Sequence, residues 1–141
     1  MINYQLKIIT LWAVFLLGTL FHTQLGLMPL FHNQSIAITD AHASGEIAWI
    51  LWLMLGFFVI PMLIMVFSLF TEAKRYRQLH FGITVVYSIL NLIHTIADLL
   101  VTPIAWFQIA LMVLLFLVGL LLNWVSWRWM QERHHHQFLP V

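Results

Sequence analysis

Residues 81–101, FGITVVYSILNLIHTIADLLV, form an apolar stretch long enough to cross a membrane as a helix. Polar residues recur along it every three or four positions, which places them on one helical face. This polar stripe consists of Thr84, Tyr87, Ser88, Asn91, His94, Thr95, Asp98 and, just beyond the stretch, Thr102. Because hydrocarbon does not solvate polar groups, the stripe must be covered by other protein or lead to water, and it is the first place to look for a functional site.

Three more stretches of similar length and character flank this one, at residues 8–31, 47–70 and 104–127. The chain is 62% hydrophobic and only 8% charged, a composition that excludes an ordinary soluble domain. The sequence therefore predicts a single all-α domain, residues 1–141, integral to the lipid bilayer. A net charge of +1 argues against a nucleic-acid partner, and the lack of cysteine excludes thiolate metal ligands.

Basic residues predict the orientation of the four helices. Lys7 precedes the first stretch, Lys74, Arg75 and Arg77 lie between the second and third, and Arg128 and Arg133 follow the fourth. Because positive residues favour the cytoplasmic side, both termini and a short tail at residues 128–141 are expected there. Short links make neighbouring helices antiparallel, so the predicted architecture is an up-down four-helix bundle.

Two histidines are predicted to lie at the same depth in this bundle, on its non-cytoplasmic side. His22 and His94 each lie about two-thirds of the way along an outward-running helix. Asp98 follows His94 by one helical turn. A weak internal echo supports the pairing, since the stretch LFHT at 20–23 resembles LIHT at 92–95.

Two kinds of centre fit paired histidines. One is a b-type haem held between His22 and His94. The other is a bare transition metal ion, such as zinc, iron or copper, bound by His22, His94 and Asp98, with His42 or Glu46 completing the ligand set. Either centre would serve electron transfer or metal handling, and no catalytic residue is predicted.

The same residues also allow interpretations without a cofactor. Thr84, Ser88, Asn91 and Thr95 are types that hydrogen-bond between membrane helices, and Asp98 can end a proton path. With the stripe as interhelical hydrogen-bond glue, the protein would be a non-catalytic accessory or assembly subunit of a larger membrane complex. Other membrane subunits or a second copy of the chain are the expected partners. The triplet His134, His135 and His136 is not expected to carry a mechanism, because a short tail after the last helix is usually mobile.

Overall fold

The computed structural model describes residues 3–35 and 44–132, except for the side chains of residues 44–47. These residues form four long α-helices and one short 3-10 helix, which confirms the all-α prediction. Each long helix is long and apolar enough to cross a membrane. The helices are α1 (Tyr4–Leu27), α2 (Ser44–Phe70), α3 (Lys74–Leu99) and α4 (Trp106–Gln131), and the 3-10 helix is Met28–His32. The candidate ligand His42 and the histidine triplet 134–136 lie outside the described residues.

The two ends of α1 follow from local chemistry. Asn3 caps the first turn, because its side-chain oxygen accepts a hydrogen bond from the backbone N–H of Leu6 at 3.1 Å. The α-helix ends at Leu27 rather than at residue 31, and Pro29 lies in the 3-10 helix that follows. Proline has no backbone N–H with which to continue the α-helical ladder. Asn33 then turns the chain in the left-handed conformation, with φ at 56°.

Helix α3 begins at Lys74, well before the predicted start at residue 81. The basic segment that was expected to be a link therefore forms the first two turns of the helix. Tyr76 donates a hydrogen bond from its hydroxyl to the Ile64 carbonyl of α2 at 2.7 Å, which holds this start in place. At the other end of the chain, α4 continues to Gln131, so Arg128 lies in a helix and not in a tail.

The most extensive packing joins α3 to α4, followed by α1 to α4. Gly119 of α4 shows how closely α3 and α4 approach, because a Cβ atom there would lie 2.9 Å from the Ser88 hydroxyl oxygen. Small residues permit such contacts, and close packing is what holds helices together where lipid is as apolar as the side chains. The buried core includes Ile8, Trp12, Phe15, Tyr87, Met112, Leu115, Leu122 and Trp129.

Contacts between α1 and α3 join residues whose numbers rise together along both helices. Trp12 contacts His80, Phe15 contacts Tyr87, and farther along His22 contacts His94. The C-terminal parts of α1 and α3 consequently lie at the same end of the bundle, and both helices pack against α4. This arrangement places the two predicted histidines within reach of each other.

Candidate metal centre

The imidazole rings of His22 and His94 meet at the end of the bundle where the C-terminal parts of α1 and α3 lie. Their centroids are 5.4 Å apart, and the rings are nearly perpendicular, at 73°. Phe15 and Tyr87 form the preceding ring contact between α1 and α3. Their residue numbers differ by as much as those of His22 and His94. The sequence echo between residues 20–23 and 92–95 also has this offset. The resemblance between the two stretches thus coincides with the register in which α1 and α3 pack.

Asp98 completes a three-residue group, which we call the His-His-Asp cluster: His22, His94 and Asp98. Its Oδ2 atom lies 3.1 Å from His22 Nε2 and 3.7 Å from His94 Nε2. The second contact follows from helix geometry, since residues four apart stand on the same helical face. One potential ligand atom from each residue lies within 4.8 Å of the others. The convergence that a metal centre requires is therefore present.

Exposure differs across the cluster. The side chain of His22 is 11% exposed and that of Asp98 is 21% exposed, whereas that of His94 is 57% exposed. His22 and Asp98 are thus held among protein atoms, and His94 forms the open side.

The closest contact of the cluster joins His22 to Asp98. His22 Nε2 and Asp98 Oδ2 are both buried and 3.1 Å apart, which is the distance of an ion pair. An imidazole N–H directed at the carboxylate would form a charge-assisted bond at this distance. Two atoms this close are also spaced as ligand atoms of one metal ion are.

The sequence predicts two further candidate ligands, His42 and Glu46. His42 lies outside the described residues. Glu46 belongs to α2, but its side chain also lies outside the description. The polar stripe, in contrast, is well defined: Thr84, Ser88, Asn91 and Thr95 are each no more than 8% exposed. The expectation that other protein covers these positions is confirmed.

The hydroxyls of the polar stripe bond largely within their own helix. Thr84 donates to the Phe81 carbonyl at 2.8 Å, and Thr95 donates to the Asn91 carbonyl at 2.8 Å. Ser88 links two helices, because its hydroxyl oxygen accepts a hydrogen bond from Asn123 Nδ2 of α4 at 2.9 Å. Interhelical bonding, predicted for several stripe residues, is therefore observed at Ser88.

Sequence reasoning missed two buried residues at the start of α3. His80 is fully buried, and its Nε2 accepts a hydrogen bond from the indole N–H of Trp12 at 3.1 Å. Arg77 is 4% exposed, and its guanidinium donates to the carbonyls of Trp129 and Glu132 at 3.1 and 3.2 Å. The available signal was the spacing, because Arg77 and His80 continue the polar face back from Thr84 at steps of three and four.

Comparison of the chain with models of known protein families, with curated proteins and with solved structures found no match.

Proposed function

We propose that the protein is an integral membrane protein that binds one transition metal ion through His22, His94 and Asp98. The bound ion would serve metal handling or electron transfer. The observation that carries the proposal is the convergence of His22, His94 and Asp98, whose Nε2–Oδ2 distances are 3.1 and 3.7 Å. Two imidazoles and a carboxylate are a donor set suited to zinc, iron or copper.

The distances in the His-His-Asp cluster support a bare ion. A tetrahedral site with metal–ligand bonds of about 2.0–2.1 Å separates its ligand atoms by about 3.3–3.4 Å. The two measured nitrogen–oxygen distances, 3.1 and 3.7 Å, lie on either side of this value. Small side-chain movements would therefore be enough to bring the donors to ligand positions.

The same distances count against a haem between the two histidines. Axial imidazoles bind iron from opposite faces of the macrocycle, which then lies between the rings. Here Nε2 of His22 and Nε2 of His94 both lie near the same Asp98 oxygen, and the ring centroids are 5.4 Å apart. The glycines on either side of His22 leave no gap for the macrocycle, because a Cβ at Gly18 would collide with Leu115 and one at Gly26 would lie 3.3 Å from Gln108.

Charge also favours a cation in the cluster. Within residues 3–35 and 44–132, Asp98 forms ion pairs with His22 and His94 and with neither lysine nor arginine. A carboxylate at membrane depth without a cationic partner is costly, and a divalent ion would offset that cost. Three protein ligands leave a coordination position open beside exposed His94, as in sites that exchange or react with a ligand. His42 and Glu46 are the proposed candidates for a fourth protein ligand.

We further propose an up-down four-helix bundle with both termini in the cytoplasm. The rising order of the α1–α3 contacts, and the pairing of Arg77 near the start of α3 with Trp129 near the end of α4, support alternating helix directions. Lys74, Arg75 and Arg128 lie at the end of the bundle away from the cluster, and positive residues favour the cytoplasmic side. The metal site would then be on the non-cytoplasmic side.

The test is to measure bound metal in protein purified in mild detergent. His134, His135 and His136 are first replaced by alanine, because this triplet can bind metal in solution by itself. Elemental analysis is then combined with a visible spectrum for this protein and for His22→Ala, Asp98→Asn and the control His32→Ala, whose exposed histidine lies outside the cluster. We expect about one metal ion per chain, lost in the first two variants and kept in the control.

Each other outcome has a distinct meaning. A Soret band that is present in the starting protein and lost in His22→Ala would mean that the centre is haem and not a bare ion. A folded, metal-free and colourless protein that gains no metal on titration with zinc, iron or copper would overturn the proposed centre.

The second candidate is an accessory subunit of a larger membrane complex. The observation in its favour is α2, of which only 11% of the most apolar stretch is buried within the chain. Another subunit, a second copy or lipid would cover the remainder. Metal-free protein that extracts from its native membrane only as part of a larger complex would support this candidate.

A further inference from the structure

The buried face of α3 is polar over most of its length, quite apart from the His-His-Asp cluster. His80, Thr84, Ser88, Asn91 and Thr95 follow one another at steps of three or four, and none is more than 8% exposed. At 1.5 Å per residue this track covers roughly 22 Å, most of a hydrocarbon layer. Helix α4 adds Asn123, which bonds Ser88, and fully buried Ser126, which lies on α4 between Asn123 and Trp129, whose ring contacts His80. The polar seam therefore consists of His80, Thr84, Ser88, Asn91, Thr95, Asn123 and Ser126.

Several atoms of the polar seam have no hydrogen-bond partner within the described residues. They are His80 Nδ1, Asn91 Oδ1, Asn123 Oδ1 and Ser126 Oγ, and all four are buried. Since His80 Nε2 accepts from Trp12, a neutral ring carries its proton on Nδ1, which makes Nδ1 a donor. The two amide oxygens are acceptors. Water both donates and accepts, and it is the usual partner of buried polar atoms that protein does not satisfy.

The spacing of the polar seam suits a chain of single water molecules. Side chains three or four residues apart on a helix have Cβ atoms about 5–6 Å apart. Two hydrogen bonds of about 2.8 Å through one water molecule span the same distance. One water between successive polar residues would thus make the seam continuous from His80 to Thr95.

The polar seam is narrow at Ser88, and its width there limits which ions could pass. Asn123 Nδ2 is 2.9 Å from the Ser88 hydroxyl oxygen, and Gly119 lies directly against it. A hydrated metal cation does not fit between these groups. A proton needs no such space. The Ser88 hydroxyl donates to the Thr84 carbonyl at 3.1 Å, and it would turn away from that carbonyl to release its own proton as it accepts another.

Both ends of the polar seam lie near exposed groups. Beyond His80, the guanidinium of Arg77 lies 3.9 Å from the carboxylate of Glu132, whose side chain is 51% exposed. Next to Thr95, the side chain of His94 is 57% exposed. The seam is thus buried along its middle and close to the surface at each end.

We propose that the polar seam holds a file of water molecules that conducts protons across the membrane. One proton leaves at one end for each that enters at the other, and a counter-ion balances the charge. No oxidant or reductant takes part. The proposal goes beyond metal binding and does not rest on it.

Proteoliposomes test the proposal directly. The full chain is reconstituted with a pH-sensitive dye inside, and a potassium diffusion potential set with valinomycin drives proton uptake. We expect faster uptake than in protein-free liposomes, and about tenfold slower protein-dependent uptake in Asn91→Leu and in Ser126→Ala. The control is Thr10→Val, which removes a hydroxyl on the exposed face of α1 that, like Thr95, bonds its own helix.

Three results would overturn the proposal: uptake at the protein-free rate, wild-type uptake in Ser126→Ala, or equal slowing in Thr10→Val. Circular dichroism and gel filtration establish that each variant is folded. Ser126→Ala removes one oxygen atom only, so it decides the question if Asn91→Leu does not fold.

Discussion

The two ends of α3 carry the same residue type in different surroundings. Near its start, His80 is fully buried and accepts a hydrogen bond from the Trp12 indole. Near its end, His94 is 57% exposed and lies beside the buried atoms His22 Nε2 and Asp98 Oδ2. A buried ring that accepts a bond from another helix stabilises the fold, whereas ligand atoms that gather beside an exposed side chain can form a site. The comparison teaches that the two ends should respond to substitution in different ways.

His94→Ala should produce the largest change of all the variants, and that change should be in metal affinity and not in stability. Loss of partners that merely orient ligands lowers metal affinity by about 10–100-fold, so loss of a ligand should lower it by more than about 100-fold. The free energy of unfolding of metal-free protein should change by less than about 0.5 kcal/mol, because the side chain is mostly exposed. Metal titration and denaturation in mixed micelles measure the two quantities.

The effect of added metal on stability should also depend on His94. At 100 times its dissociation constant, the ion should stabilise the wild-type protein by about 2.7 kcal/mol. The stabilisation should be absent in His94→Ala. Equal stabilisation in both proteins would mean that the ion binds elsewhere.

Arg77→Met should have the largest effect on stability at the start of α3. The substitution keeps a long side chain but removes the donors to the carbonyls of Trp129 and Glu132, and we expect a loss of about 3 kcal/mol in the free energy of unfolding. Metal affinity should stay unchanged. The matched control is Arg75→Met, because Arg75 is exposed on the same turn. An equal loss in the control would show that charge alone matters there.

His80→Leu should cost about 1–3 kcal/mol, because it leaves the buried Trp12 N–H without an acceptor. In a Trp12→Phe background that donor is absent, so the cost of His80→Leu should fall. Denaturation of the four proteins forms a double-mutant cycle. Strictly additive losses would mean that the bond between the two rings contributes nothing.

Ser88→Ala should have the smallest effect, about 0.6 kcal/mol, which is typical of hydrogen bonds between membrane helices. The variant removes the acceptor of Asn123 Nδ2 without adding volume beside Gly119. Denaturation under the same conditions measures the change. A loss as large as that of Arg77→Met would place the main stabilising contact in the middle of α3 and break the contrast between its ends.

The helices and the pairing of His22 with His94 could be predicted from the sequence, because both depend on period and depth. Apolar runs of about 20 residues determine the helices, and two histidines equally far along parallel helices meet at one level. The partner of both histidines could be predicted too, since Asp98 lies one turn from His94. The distances between their ligand atoms could not, because these distances depend on side-chain torsions that no spacing encodes.

The start of α3 shows why the remainder was missed. The low hydropathy around Lys74, Arg75 and Arg77 predicts a link between two helices, although lysine and arginine are good helix formers. Burial of Arg77 depends on backbone carbonyls at the end of α4, and backbone groups have no sequence signature. His80 likewise requires the Trp12 indole, which lies on another helix.

The bond from Arg77 to the Trp129 carbonyl joins residues 52 positions apart, and this separation has a consequence for biosynthesis. During synthesis, α3 leaves the ribosome before its acceptors on α4 do. Until α4 follows, the Arg77 guanidinium needs other acceptors, such as water or lipid phosphates. We therefore expect the contact between α3 and α4 to form only after both helices have left the ribosome.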